Sequence, residues 1–174
     1  MPRYRLFHAR SGEGDPGVLD RALEDVWTDP GRAKSQDSKF KHQLEEVMSV
    51  IPQEDSIAGP WTEEATYGQD TAMSVAYALR ARLNGEAQEA AWAARVAYEA
   101  LDHFVINCEG IDTNKPGEEQ RVLSHPLIQA EFARQRRDLD DLLRASDGGD
   151  TTSVVRHLQE RAKAEAPVFF GPIS

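Results

Sequence analysis

Residues 70–109 constrain this chain more than any other stretch, because they read as two long helices joined by a very short turn. In the first, Ala72, Val75, Ala76, Leu79 and Leu83 recur three and four apart and so share one face. Asn84-Gly85 predicts its end, since glycine takes the left-handed conformation without a Cβ penalty. The second starts near Ala87 and holds seven alanines by Ala100, followed by Leu101, Phe104, Val105 and Cys108. Alanine favours helix and lets a neighbouring helix approach closely, so Ala90, Ala94 and Ala97 are expected at a tight contact. Cys108, on the apolar face, is expected to pack inside. The pattern predicts an antiparallel hairpin at the centre of a bundle. It specifies no chemistry.

The flanking segments extend the same architecture. Residues 1–14 read as irregular, with Tyr4, Leu6 and Phe7 able to pack. Asp15-Pro16 predicts a helix start, Asp as N-cap and Pro at the first position, with Leu19, Ala22, Leu23, Val26 and Trp27 as the buried stripe. Asp29-Pro30-Gly31 ends it. A helix over 37–51 carries Phe40, Leu44, Val47, Met48 and Ile51 on one side, and Pro52 stops it. Residues 52–65 read as a connector with one helical turn near Thr62, and 110–117 as a loop. His125-Pro126 opens a fifth helix whose stripe is Ile128, Phe132, Gln135, Leu139 and Leu142. SDGGD at 146–150 reads as a loop, and a last helix covers 153–165 before the apolar tail PVFFGPIS, which is expected to dock on the body. No alternating strand pattern occurs. The expected fold is all-α, a single domain of about six helices over residues 1–174.

A 174-residue chain suits one such domain. Its net charge of −10 argues against nucleic acid, whose affinity comes largely from Lys and Arg displacing counterions; it suits solubility alone, the leading reading, or else a basic partner. With one cysteine there is no internal disulfide and no thiolate zinc cage. No apolar run reaches the ~20 residues of a membrane span, and the start MPRYRLFHAR lacks the form of a secretory signal. The expectation is a cytoplasmic protein that takes no cofactor.

Polar residues are weighed in two ways. His8, His42, His103, His125 and His157 show no metal-ligand spacing. Asp138, Asp140 and Asp141, with Glu131 upstream, resemble the carboxylates that hold Mg²⁺ in helical hydrolases, but Arg134, Arg136, Arg137 and Arg144 interleave with them as on an ion-paired face. Asp70, Glu131 and Gln135 are the candidate ligand-binding residues. Gln135 stands inside an apolar stripe and must find hydrogen-bond partners there, whereas Asp70 precedes a buried helix and can cap it. A cleft joining Asp70 to Glu131 is one reading; satisfaction within the fold is the other. No GxGxxG, GKS/T, GxSxG or CxxC motif is present.

Several short motifs fall in an order that resembles a known family. They are the spaced residues Gly12, Gly14, Leu23 and Trp27; Asp70 leading to Ala78-Leu79; the RLNGE turn at 82–86; and HPLIQAEFARQ with Pro126, Glu131 and Gln135. Together they resemble the bacterial domain of unknown function 416, the YjaG-like proteins, over nearly the whole chain. The resemblance implies a compact helical fold and a tie to histidine-kinase signalling, with no established activity. Relatives begin with a further helix ahead of the segment matched by Tyr4 to Gly12, so this chain is expected to lack the family's first helix. Either a second copy covers the bared face, with Tyr4, Leu6 and Phe7 in a homodimer contact, or the chain's own ends fold over it. The expected role is a non-enzymatic adaptor or regulatory protein. The alternatives are an immunity-type protein masking a basic toxin and a small Mg²⁺-dependent hydrolase.

Overall fold

The computed structural model describes residues 2–28, 37–55, 57, 59–148 and 150–170. They form eight helices and no strand, two helices more than the spacing predicted: α1 (Pro2–Ser11), α2 (Pro16–Thr28), α3 (Asp37–Ser49), α4 (Glu63–Asn84), α5 (Ala87–Glu109), α6 (Glu118–Leu123), α7 (Pro126–Gly148) and α8 (Thr151–Phe170). Asp29-Pro30-Gly31 lies outside the described residues, as do the last four of the tail.

The hairpin is the axis of the molecule. Gly85 ends α4 at φ 68°, its N–H bonded to Ala81 O, and α5 returns antiparallel. Ser74 Oγ donates to Ala93 O at 3.3 Å, and the rings of Tyr77 and Trp92 meet edge-to-face at 5.3 Å. α4 is seven residues longer than expected. Thr62 caps it by accepting the Ala65 N–H, so the helical turn read in the connector is its first turn.

Two apolar cores flank the hairpin. α1, α2 and α3 bury Tyr4, Phe7, Leu19, Ala22, Phe40 and Val47 against Ala72, Val75, Ala76 and Leu79 of α4. On the other side Leu101 and Val105 of α5 pack with Ile111, Val122 and Ile128 from α6, α7 and the loop before them. α8 packs along α7 and reaches α2.

The N-terminus departs from its irregular reading. α1 is a helix in which Tyr4 and Phe7 are buried, and Tyr4 Oη donates to Val50 O at 2.5 Å. Gly68 of α4 lets Phe7 sit against the helix backbone, in space that a Cβ would occupy. The chain's own first helix therefore covers the α2–α4 face, and Tyr4 and Phe7 are not available for a homodimer contact. Trp27 is half-buried.

Cys108 is exposed rather than packed. A Schellman motif explains it: Gly110 N–H bonds to Asn107 O and Ile111 N–H to Ile106 O at 2.9 Å, which folds Ile111 into the core place that a further turn of α5 would have filled. Ala90 is exposed too, while Ala94 and Ala97 are half-buried. Asp15 caps α2 as predicted, Gly17 N–H donating to Asp15 Oδ1 at 2.8 Å; α7 starts at Pro126 as predicted, and there Leu127 N–H donates to His125 Nδ1 at 3.2 Å. SDGGD is no full loop, since α7 runs to Gly148. α8 likewise continues past Glu165 to Phe170.

Candidate functional site

α7 carries the most developed polar arrangement, and Glu131 is its centre. This carboxylate is almost wholly buried, one turn past Ile128, whose packing on α5 draws the same helix face inward. Arg134 grips it with both fork nitrogens, Nε reaching Oε2 at 2.8 Å and Nη2 reaching Oε1. Gln135 Nε2 donates to Glu131 Oε1 at 2.7 Å and to Ala94 O of α5 at 3.0 Å. The glutamine inside the apolar stripe thus finds its partners on two helices and fixes their register. Burial works against the Arg134 charge, but the bonds to Glu131 outweigh it, and its pKa is raised.

The network continues into α8. Arg134 Nη1 approaches Asp138 Oδ2 at 3.4 Å, and Arg161 Nη2 bridges Asp138 at 2.5 Å and Asp141 at 2.9 Å. Arg161's bonds hold the Asp141 carboxyl below the usual carboxylate range. Arg137 ties α7 to Glu165 at 2.9 Å. The carboxylates Glu131, Asp138 and Asp141 are therefore each engaged by arginine. Chemically this is a structural clamp, with the lone pairs of Glu131 directed at its own neighbours.

Asp70 stands elsewhere. α4 places it against α5, where His103 Nδ1 lies 3.5 Å from Oδ2, too far for a good hydrogen bond. That buried oxygen has no hydrogen-bond partner among the described residues. Burial pushes the carboxyl pKa up, against the pull of His103. Nearby, the buried Arg3 of α1 threads between the rings of Tyr67 and Phe104, 4.8 Å and 4.7 Å from their centroids, and Nη1 donates to Ala100 O at 2.6 Å. Desolvation lowers the Arg3 pKa, while Tyr67, Cys108 and Asp70 support its charge.

The structure thus joins Glu131 to Gln135 and leaves Asp70 in a separate centre with Arg3 and His103. Sequence reasoning missed Arg3 and Arg161. Nothing local marks Arg3, whose carbonyl partner lies 97 residues away. Arg161 had one available signal, its place on the face that Leu158 buries.

The rest of the α7 stripe is bare. Phe132 stacks on Tyr98 with centroids 5.1 Å apart yet is partly exposed, while Leu139 and Leu143 are 60% and 64% exposed and Leu142 is open as well. Beyond the Gln135–Ala94 bond, Ala90 and Ala91 of α5 are exposed too. No helix among the described residues is long and apolar enough to cross a membrane.

A model of the family described as protein of unknown function (DUF416) matches residues 1–166. No curated protein and no solved structure matches the chain.

Proposed function

The chain belongs to the DUF416 family, and from that premise we propose that it is a non-enzymatic cytoplasmic adaptor or regulatory protein that binds a protein partner through α7. One observation carries the reading: Leu139, Leu142 and Leu143 form an exposed apolar ridge on a helix whose buried half is locked in register by Glu131, Arg134 and Gln135. Exposed apolar surface of this kind marks association sites on soluble proteins. A rigid helix presenting spaced leucines is also a familiar form of recognition. The ion pairs along the opposite flank hold α7 against α8 and so present the ridge without further ordering cost. Net charge of −10 favours a partner with a basic rim. Regulation of a signalling protein is the role that the family resemblance implies for such a surface.

Site-specific crosslinking tests this. A photoreactive residue at position 143, introduced in the host cell, is expected to give a discrete adduct that Leu139→Asp abolishes while the far-ultraviolet circular dichroism stays unchanged. Adducts no more abundant than those from exposed position 119 would overturn the reading.

A further inference from the structure

The exposed side of α7 is one continuous row. Phe132, Arg136, Leu139, Leu143 and Asp147 follow one another at helical spacing and are all exposed, so they share a face. The row is apolar in its middle, basic toward its N-terminal end and acidic at its C-terminal end. Arg136, Asp140 and Asp147 are also the charges of α7 that have no ion-pair partner among the described residues; the rest of its acids and arginines are engaged by neighbours. Beside the row the surface is low. α5 runs antiparallel to α7, Tyr98 meeting Phe132 and Ala94 meeting Gln135. Toward the end where α7 bares its leucines, α5 presents Ala91, Ala90 and Ala87, all exposed.

A protruding leucine row next to a strip of methyl-sized side chains is knob and seat on one surface, which is what a two-fold contact between identical chains requires. The charges agree. Let a second α7 lie end for end on the first, about an axis midway between Leu139 and Leu143. Leu139 of each copy then faces Leu143 of the other. Arg136 comes within one residue, or ~1.5 Å along the helix, of Asp147 of the second copy. Arg136 and Asp147 stand on the same flank of the row, and like flanks meet across an antiparallel helix pair, so two ion pairs bracket the leucines. A parallel pairing would set arginine on arginine and aspartate on aspartate.

We propose that the α7 ridge is the contact of a homodimer, a second copy laying its α7 antiparallel on the first, over the leucines and the neighbouring α5 alanines. This rests on the α7 reading above and names its partner; the basic rim is then Arg136 of the second copy. Two chains of charge −10 repel at long range. At about 0.15 M salt the Debye length of about 8 Å screens the distant charges and leaves the close pairs in force.

Sedimentation equilibrium of the full chain at that salt, from about 1 to 200 µM, tests the proposal around an expected Kd of about 10 µM, the weak end for a small interface. The mass should rise from 19.4 kDa toward twice that value. Leu139→Asp should leave a monomer throughout this range with its circular dichroism unchanged, the position being exposed. Arg136→Asp and Asp147→Arg should each weaken the dimer about tenfold, because each turns both pairs into like charges. R136D/D147R exchanges the charges and should return to within about twofold of the native Kd. That recovery requires the antiparallel register and a second copy. A native chain that stays monomeric at every concentration would overturn the proposal; if position 143 still crosslinks a different protein in the host, the α7 reading survives without it. A dimer that persists in Leu139→Asp, or an exchanged variant no tighter than the single ones, overturns it as well.

Discussion

Truncating the two halves of the α7 clamp should not be symmetrical. The side chain of Glu131 is 4% exposed and that of Arg134 is 26% exposed. Arg134→Ala strands a buried carboxylate with only the Gln135 amide for company. Breaking a buried pair in this way costs about 3–5 kcal/mol, much of it for the charge left behind. Glu131→Ala strands a guanidinium that retains Asp138 at 3.4 Å and some water, and Gln135 keeps its bond to Ala94 O. Discounted for that exposure, the loss is about 2 kcal/mol. The double variant removes both charges and should be more stable than Arg134→Ala alone. In urea melts the expected order is native, then Glu131→Ala, then Arg134→Ala, with the double variant above the last. For a domain of this size each kcal/mol moves Tm by about 2–4 °C, so the order is resolvable by calorimetry as well. Equal losses for the two single variants, or a double variant equal to their sum, would refute the clamp, because strict additivity means the residues do not interact.

Three further outcomes follow from particular contacts. Gly68→Ala gains about 1 kcal/mol of helix propensity but sets a Cβ 2.9 Å from Phe7 Cγ, near the base of a buried ring; overpacking of about 1–3 kcal/mol should leave a net loss in urea midpoint, and a gain would show that α1 shifts freely. Ala94→Leu, at the half-buried residue whose carbonyl Gln135 engages, should cost about 1–3 kcal/mol, an unchanged midpoint placing the side chain outside the α5–α7 contact. Asp70, raised in pKa by burial against the pull of His103, holds its proton more tightly folded than unfolded; stability is therefore greatest with the acid protonated and falls as pH rises from the usual aspartate value of about 3.9 through the folded one. Asp70→Asn should then raise Tm at pH 7 and leave it level at pH 3, and an equal gain at both pH values would remove the carboxyl as the cause.

What the sequence discloses divides by the range of the interactions. The hairpin, the Gly85 stop, the Asp15 cap and the Pro126 start are settled within a few residues, so their patterns stand in the chain to be read. α1 is different. PRYRLFHARS has almost no amphipathic pattern, and its order comes from Tyr4 reaching Val50, Arg3 reaching Ala100 and Phe7 seating on Gly68. Those partners are brought to it only by the finished fold. Gly68 shows the same inversion, since read locally a glycine weakens a helix, whereas here it is the gap into which another helix packs. The candidate site mixes both kinds. A glutamine in an apolar stripe announces that it needs partners, and Gln135 found them, but the stripe could not say which of its leucines a neighbour would cover. Ile128 is buried by α5 and α6, while Leu139 and Leu143 stay open beyond the last bond that α7 makes with Ala94. The periodic pattern is the same in both halves. The difference lies in what packs against it, and for the open half that is the surface through which the proposed partner would bind.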